Sequence, residues 1–230
     1  MRNNYFQALG FIAAIGVSVN ANAALIGQWD FNGSVAGTPG NDAVLSAPTG
    51  LDTSGYNFDS GNGVAINVAG ITDTYAIEMQ FSLDSNDSGY QRLISFDGIA
   101  EDYGLYAYDN YIYFYDASPD IDNFTFSAGE AMTLKVSRDG STDTFSAYLN
   151  DNFLWDFDDS SNLAVITDPS QMLNFFVDDG SENPSGFVDS IKVFDGNDNA
   201  STVPVPATMY LFLTGLLGLM RLRKKTREHS

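Results

Sequence analysis

Apolar and polar residues alternate with a period of two through much of the middle of the chain. In residues 75–83 the odd positions are apolar or aromatic and the even positions are small or polar, and the alternation recurs over 132–137, 145–150 and 153–157. Because successive side chains of a strand point to opposite faces, this period predicts half-buried β-strands. Less regular apolar runs predict further strands at 93–96, 104–108, 111–115, 173–177 and 187–194.

Short polar turns separate these runs. Asp109 and Asn110 lie between two tyrosine-rich runs, and 138–141 and 150–152 occupy similar positions further along the chain. Asp, Asn and Gly are the residues that tight hairpin turns favour. No stretch of the middle combines a helical period with caps, so the sequence predicts an all-β domain made of a two-sheet antiparallel sandwich.

The N-terminal end has a different pattern. Arg2 precedes an apolar stretch over residues 6–19, and the small residues Ala21 and Ala23 follow it. This order is typical of a secretory signal peptide, and the apolar stretch is short for a membrane span of ~20 residues. We therefore predict a signal helix within residues 1–23, removed by cleavage after Ala23.

The C-terminal end combines three features in a fixed order. Pro204 and Pro206 come first, an apolar segment over 207–222 follows, and basic residues crowd 221–225. The apolar segment predicts a transmembrane helix whose basic end stays in the cytoplasm. It is shorter than the usual ~20 residues of a permanent span.

The tail over 203–230 resembles the PEP-CTERM sorting signal of Gram-negative bacteria, with Val205 in place of the usual Glu, as in the VPxPA variant. The resemblance implies recognition near Pro204 and Pro206 by an exosortase-type membrane protease. It also implies delivery to the cell surface or the extracellular polymer matrix, with the protein anchored in the membrane before processing. The alternative is a plain tail anchor that is never cut.

Eight short motifs follow one another along the middle of the chain. In chain order they are 28–33 (QWDFNG), 56–61 (YNFDSG), 75–81 (YAIEMQF), 92–96 (RLISF), 104–106 (GLY), 135–139 (KVSRD), 145–150 (FSAYLN) and 186–195 (GFVDSIKVFD). Their order resembles that of laminin-G-like domains, which have the concanavalin A-like jelly-roll fold. The resemblance implies a jelly roll of two antiparallel sheets that binds a glycan or a protein, although some members hydrolyse glycans. We place this domain at 24–196 and a polar linker at 197–202.

The charge of the chain is concentrated in the predicted domain. Twenty-nine of the thirty acidic residues but only four of the ten basic residues lie between positions 24 and 200, and the chain contains no cysteine. Nucleic-acid binding depends on neutralising phosphates with Lys and Arg, so nucleic acid is not an expected partner. The acidic surface suits solubility and mutual repulsion at a cell surface. The alternative is divalent-cation binding at Asp-rich loops.

Catalytic chemistry has few candidate residues. The only histidine, His229, lies in the tail, which excludes Ser–His, Cys–His and His-based metal catalysis from the domain. Asp156, Asp158 and Asp159 are candidates to replace the carboxylate pair of jelly-roll glycosidases, but a polar loop after a strand is the preferred interpretation. We therefore expect a non-enzymatic surface or matrix protein. The alternatives are a glycoside hydrolase of the same fold and a purely structural matrix component.

A structural calcium ion is the predicted cofactor. Asp189 has the same strand parity as Ile191 and Val193, so it should point inward at the start of its strand. A buried carboxylate needs a compensating partner, and a cation with oxygen ligands supplies one. The laminin-G-like resemblance implies a calcium site shared between this position and the N-terminal strand, which Asp30 and Asn32 match. The alternative is that Asp189 accepts backbone N–H groups without a metal.

Tyrosines are the candidate ligand-binding residues. Tyr106 and Tyr108 share one face of a predicted strand, as do Tyr111 and Tyr113 in the next strand. Aromatic rings stack on the apolar C–H faces of pyranoses, so this hairpin predicts a site for a glycan or matrix polymer. The alternative is that one tyrosine set packs in the core and the other pairs across the strands.

Overall fold

The computed structural model describes residues 23–85, 89–119, 125–167 and 170–196. Thirteen strands occur in these ranges, and the only helical element there is a single 3-10 turn at Pro48–Gly50. The strands are β1 (Ala24–Trp29), β2 (Val44–Leu45), β3 (Tyr56–Phe58), β4 (Val64–Asn67), β5 (Tyr75–Leu83), β6 (Gln91–Ser95), β7 (Gly104–Tyr108), β8 (Tyr111–Phe114), β9 (Met132–Asp139), β10 (Thr144–Leu149), β11 (Asn152–Asp158), β12 (Met172–Phe175) and β13 (Gly186–Asp195).

The strands form two antiparallel sheets. The seven-stranded sheet has the order β1-β13-β5-β9-β10-β11, with β3 also pairing with β13. The six-stranded sheet has the order β2-β4-β12-β6-β7-β8. Non-consecutive strands are neighbours in both sheets, so the chain crosses repeatedly between the two layers. The prediction of an all-β, two-sheet antiparallel jelly-roll sandwich is confirmed.

In two of the three predicted hairpins, the polar residues of the turn adopt the positive φ values that tight turns need. Asp109 and Asn110 join β7 to β8 with φ values of 47° and 71°, and Asn150 and Asp151 join β10 to β11 with φ values of 50° and 63°. Positive φ at both loop residues suits the right-handed twist of a two-residue hairpin. The β9–β10 loop differs, since its positive φ falls on Asp143 (50°) and not on Gly140.

The core lies between the two sheets and is filled by the inward-facing residues of both. Two tryptophans are among its largest members, and each indole N–H has a backbone acceptor: Trp155 donates to the Ile112 carbonyl at 2.8 Å and Trp29 to the Asn41 carbonyl at 2.7 Å. Burying a large apolar side chain contributes about 1.5–3 kcal/mol to the stability of the folded state. The Trp155 bond connects β11 of one sheet to β8 of the other and so holds the sheets together at the edge that carries the tyrosine hairpin.

Four of the described strand pairs contain register shifts, and two of these bulges affect residues of the candidate sites. In β6 the register shifts between Arg92 and Ile94, so Leu93 and Ile94 both pack in the core. In β13 it shifts between residues 188 and 190, so Val188 and Ile191 are buried whereas Asp189 is partly exposed. A bulge inserts one residue and breaks the period of two. Asp189 therefore lacks the inward position that parity with Ile191 predicts.

The two predicted targeting segments lie largely outside the described residues. The predicted signal peptide ends at Ala23, which is described and partly exposed directly before β1. The linker and the sorting tail, with Pro204, Pro206 and the helix at 207–222, lie outside the described residues and stay predictions.

Among residues 23–196, in the ranges that are described, no helix has the length and apolar character needed to cross a membrane.

Candidate functional site

The predicted tyrosines come together on the outer face of the six-stranded sheet. Tyr106 pairs with Tyr113 and Tyr108 pairs with Tyr111 across the β7–β8 hairpin. The residues that alternate with them belong to the core, so both tyrosine sets point away from it. These inward residues are Leu105, Ala107, Ile112 and Phe114. Tyr106 is nonetheless buried, and the tyrosines contact one another across the two strands, as the alternative interpretation expects.

A pocket of about 420 Å³ opens beside this hairpin. Five of the eight residues that line it are aromatic, and four of these are tyrosines whose hydroxyl groups add to the polar groups of the turn after β8. Mostly aromatic walls with a few polar groups are typical of small-molecule and sugar sites. The residues that matter for its chemistry are Tyr90, Tyr108, Tyr113, Tyr115, Asp116 and Ser118, hereafter the tyrosine pocket.

Tyr90 is the central aromatic residue of the tyrosine pocket. Its ring stacks on Tyr108 at a centroid distance of 4.4 Å and meets Tyr115 edge-on at 5.6 Å, with an interplanar angle of 89°. Tyr90 is 38% exposed and Tyr115 is 39% exposed. Two exposed rings at right angles therefore form adjacent walls, one of them supported from behind by Tyr108.

The polar side of the tyrosine pocket is a turn held against β7 and β8. The Tyr115 N–H donates to the Gly104 carbonyl at 3.0 Å, and Ser118 Oγ accepts the Phe114 N–H at 3.0 Å. These bonds fix the turn, in which Asp116 has a positive φ of 64° and an exposed carboxylate. Asp116 thus offers an acceptor for hydroxyl groups at the pocket rim.

Tyr106 has a different role from its neighbours. It is only 2% exposed, and its hydroxyl accepts the Nε–H of Arg92 at 2.6 Å. The Arg92 guanidinium also lies 5.1 Å from the Tyr106 ring centroid, within the range of a cation–π contact. Burial raises the pKa of the Tyr106 hydroxyl far above its ordinary value, although Arg92 acts in the opposite direction. Tyr106 therefore positions Arg92 and presents no face on which a sugar could stack.

Arg92 is fully buried and connects the tyrosine pocket to a group of acidic residues. Its Nη2 donates to the Glu101 carbonyl at 2.9 Å and lies 3.7 Å from Asp102 Oδ1. Its Nε lies 2.7 Å from Asp178 Oδ1, but the Nε–H is directed at the Tyr106 hydroxyl. In the described part of the chain, Arg92 Nη1 and Asp178 Oδ1 are buried atoms that have no hydrogen-bond partner.

Three carboxylates converge beside Arg92. Asp102, Asp178 and Asp179 each place an oxygen within 4.8 Å of the others, and no other such group of three occurs among the described His, Cys, Asp and Glu residues. Glu182 adjoins this acidic cluster, and its hydrogen bond with Asp178, followed by burial, raises the Glu182 pKa. Burial alone would raise the pKa of Asp178, but hydrogen bonds from Glu182 and Gly180 and the charge of Arg92 lower it.

The residues predicted to bind calcium lie elsewhere. Trp29 pairs with Ile191, which places Asp30 and Asp189 at the same end of the β1–β13 pair. Asp30 is exposed and accepts the Gln28 amide at 2.7 Å, and Asn32 is exposed as well. Calcium at Asp30, Asn32 and Asp189 stays a prediction.

A second buried arginine, Arg138, binds Asp159, which is one of the candidate catalytic acids. Arg138 Nε donates to the fully buried Asp159 at 2.6 Å, and Arg138 Nη1 donates to the Asp73 carbonyl at 2.8 Å. Arg138 Nη2 reaches Asp143 and Asn162, each at 3.1 Å. The remaining candidates, Asp156 and Asp158, are exposed on β11. None of the three candidate acids lines the tyrosine pocket.

No protein-family model matches the sequence, and a search of curated proteins found no match either. Solved structures do resemble the fold. Domain 4 of AbnA, a GH43 extracellular arabinanase from Geobacillus stearothermophilus in complex with arabinotriose, superposes with a TM-score of 0.53 at 11% identity, covering 76% of this chain and 94% of that chain.

Two further structures are similar over part of their length. Trypanosoma rangeli sialidase has a TM-score of 0.55 and 16% identity, covering 77% of this chain and 31% of the sialidase. The Botulinum neurotoxin serotype D binding domain has a TM-score of 0.52 and 11% identity, covering 76% of this chain and 48% of that domain. This chain therefore spans about a third of the sialidase and half of the toxin domain. At these identities the likeness establishes the β-sandwich fold alone.

Proposed function

We propose that this chain is an exported, surface- or matrix-associated protein whose β-sandwich domain binds an uncharged glycan in the tyrosine pocket without hydrolysing it. The observation that carries the proposal is the pair of exposed, perpendicular rings of Tyr90 and Tyr115 at the wall of a cavity of about 420 Å³. A cavity of this size accommodates one or two sugar rings.

The chemistry of the tyrosine pocket suits a sugar. A pyranose or furanose presents an apolar C–H face, which packs on an aromatic ring, and hydroxyl groups around its edge. Tyr90 and Tyr115 supply rings, while Asp116 and Ser118 supply polar atoms near them. Tyrosine gives large contact area at low cost in side-chain entropy, which is why it is frequent in recognition sites.

The negative charge of the chain and of the tyrosine pocket favours a neutral sugar over an anionic one. The chain carries a formal net charge of −20 at pH 7, and the tyrosine pocket itself contains the Asp116 carboxylate. No Lys or Arg lines this pocket among the described residues. An anionic sugar such as a sialic or uronic acid would therefore meet repulsion and find no cation. A neutral oligosaccharide avoids both costs.

The number of carboxylates favours binding over hydrolysis. Glycosidases generally need two carboxyl groups flanking the scissile bond, about 5–10 Å apart. Asp116 is the one carboxylate in the wall of the tyrosine pocket, within the described ranges. The similar arabinanase domain is a part of an enzyme and contains bound arabinotriose. Arabinotriose is therefore a sensible first probe, and release of arabinose from it would support the hydrolase alternative.

Binding to an array of neutral oligosaccharides that includes arabinotriose, followed by titration calorimetry with the best binder, tests this proposal. Tyr115→Ala should weaken binding by about tenfold or more, as truncation of a central aromatic contact usually does. Tyr103→Ala is the matched control, because Tyr103 is also 39% exposed but does not line the pocket. Equal affinity of all three proteins would contradict the site, and no binding to any array member would favour a purely structural matrix component.

The export part of the proposal comes from the two ends of the sequence. Mass spectrometry of the mature protein from its native host should find a polypeptide that begins at Ala24 and lacks the basic residues after 220, if both a signal peptidase and an exosortase-type protease process it. A mature protein that begins at Ala24 but keeps residues 203–230 would support the plain membrane anchor. An uncut N-terminus would contradict export.

A further inference from the structure

We propose that the acidic cluster of Asp102, Asp178 and Asp179 is a calcium-binding site. It is separate from the predicted site at Asp30, Asn32 and Asp189, and the proposal does not depend on glycan binding. The cluster joins two loops that are distant in sequence, since Asp102 precedes β7 and the other two acids follow β12.

The distances within the acidic cluster fit a calcium ion. Ca²⁺ binds oxygen ligands at about 2.3–2.6 Å, so two oxygens on the same ion lie up to ~5 Å apart. The candidate oxygens of the three aspartates lie within 4.8 Å of one another. Asp102 and Asp179 are exposed, so water can supply the remaining ligands. An open site of this kind suits Ca²⁺, which tolerates irregular geometry, better than Mg²⁺, which demands an octahedron.

A buried carboxylate oxygen without a hydrogen-bond donor is a second, independent observation that favours cation binding. The Asp178 side chain is fully buried, and its Oδ1 accepts no hydrogen bond from any described residue. The nearest cation, Arg92, holds its Nε 2.7 Å from this oxygen but directs the N–H to Tyr106. Leaving a buried acceptor unsatisfied costs about 1–3 kcal/mol, and more when it is charged. The ion pair with Arg92 offsets part of this cost, and a bound cation would offset the rest.

The loop after β12 is built to hold Asp178 in place. The Asp178 N–H donates to Asn183 Oδ1 at 2.7 Å, and Asn183 Nδ2 donates to the Gly180 carbonyl at 2.8 Å. The Gly180 N–H donates to Asp178 Oδ2 at 3.1 Å. The second carboxylate oxygen is thus occupied by the loop itself, while Oδ1 faces Arg92.

The charges of the acidic cluster match a divalent ion. Asp102, Asp178 and Asp179 carry three formal negative charges against the one positive charge of Arg92, and the Glu182 carboxyl group adjoins them. This excess of negative charge favours a divalent cation. Because Asp102 lies 3.7 Å from Arg92 Nη2, beyond hydrogen-bond range, its carboxylate keeps lone pairs for an ion.

The test is calcium titration of the full chain in detergent after removal of metals with a chelator, by calorimetry and by thermal unfolding. Asp102→Asn combined with Asp179→Asn changes only exposed members of the acidic cluster and leaves the buried Asp178–Arg92 contact intact. Asp30→Asn combined with Asp189→Asn is the matched control, because it makes the same change of charge at the other predicted site. No sugar is present, so the result is independent of the proposed glycan binding.

The wild-type chain should bind one Ca²⁺ with a Kd of about 10⁻⁴–10⁻³ M, which is typical of extracellular modules, and its Tm should rise with calcium. The Asp102/Asp179 variant should lose at least about tenfold in affinity together with the Tm shift, whereas the Asp30/Asp189 variant should stay within about twofold of wild type. No binding below about 10 mM Ca²⁺, or unchanged binding by the Asp102/Asp179 variant, would overturn the proposal.

Discussion

Two arginines, Arg92 in β6 and Arg138 in β9, are buried in this domain, and each lies beside a buried aspartate from a distant loop. Around Arg138 all three guanidinium nitrogens donate hydrogen bonds, and Asp159 also accepts the Leu163 N–H at 2.7 Å. Around Arg92, one guanidinium nitrogen and one carboxylate oxygen of Asp178 have no hydrogen-bond partner in the described chain.

The difference separates a structural network from one that is open to a ligand. In native proteins nearly all buried polar groups form hydrogen bonds, so the two buried atoms without partners in the Arg92 network require an explanation. The Arg138 network is closed, because each guanidinium nitrogen has an acceptor within the chain, and none of its residues lines the tyrosine pocket. The Arg92 network contacts that pocket through Tyr106, whose ring meets Tyr90 edge-on at 5.7 Å, and it has exposed acids, Asp102 and Asp179, at its surface. The same pair of residue types thus serves stability in one region and, we infer, recognition in the other.

The largest expected effect is a loss of stability when the closed Arg138 network is broken. Asp159→Ala leaves the buried Arg138 without its main partner, which typically costs about 3–5 kcal/mol in the free energy of unfolding. Urea denaturation measures the loss. Asp156→Ala, an exposed position on β11, is the control and should change stability by no more than about 0.5 kcal/mol. A loss below about 1 kcal/mol for Asp159→Ala would show that the Arg138 network is not a stabilising element.

The next largest effect concerns the aromatic wall of the tyrosine pocket. Tyr90→Ala removes the ring that stacks on Tyr108 and should weaken binding of the best neutral oligosaccharide by about tenfold or more. Tyr90→Phe keeps the ring and should stay within about threefold of wild type, because stacking needs no hydroxyl. Calorimetry distinguishes the two. If Tyr90→Phe lost as much affinity as Tyr90→Ala, hydrogen bonding and not stacking would dominate.

The smallest effects are expected at the exposed acid of each network. Asp143 is 47% exposed and lies 3.1 Å from Arg138, whereas Asp102 is 73% exposed and lies 3.7 Å from Arg92. Exposed ion pairs contribute about 0.2–1 kcal/mol, so in calcium-free buffer Asp143→Asn should cost up to about 1 kcal/mol. Asp102→Asn should cost less than about 0.5 kcal/mol under the same conditions. A reversed order in urea denaturation would contradict the contrast between a closed and an open network.

Local patterns in the sequence predict most of the fold. The alternation over 75–83 matches β5 residue for residue, and Asp109 and Asn110 form the predicted turn between β7 and β8. The shared face of the tyrosines follows from the same period of two. These features depend on neighbours in the chain, which is why they can be read from it.

The parts of the site that depend on distant contacts are not predictable in this way. Arg92 contacts Asp178 only because β6 lies beside β12 in the six-stranded sheet. No local pattern in the sequence indicates that these two strands pair. The bulge in β13 moves Asp189 away from the position that alternation assigns to it. Tyr90 joins the tyrosine pocket from the residue before β6, where no periodic run includes it. Strand order and bulges are properties of the folded sheet and leave little trace in a single sequence.

Hydrogen–deuterium exchange of the full chain, with and without a saturating neutral oligosaccharide, compares the two regions in one experiment. We expect the sugar to protect backbone amides in residues 104–118, around the tyrosine pocket, and to leave exchange in residues 139–164, around Arg138, unchanged. Protection confined to residues 139–164, or no protection at 104–118 under saturating sugar, would contradict this expectation.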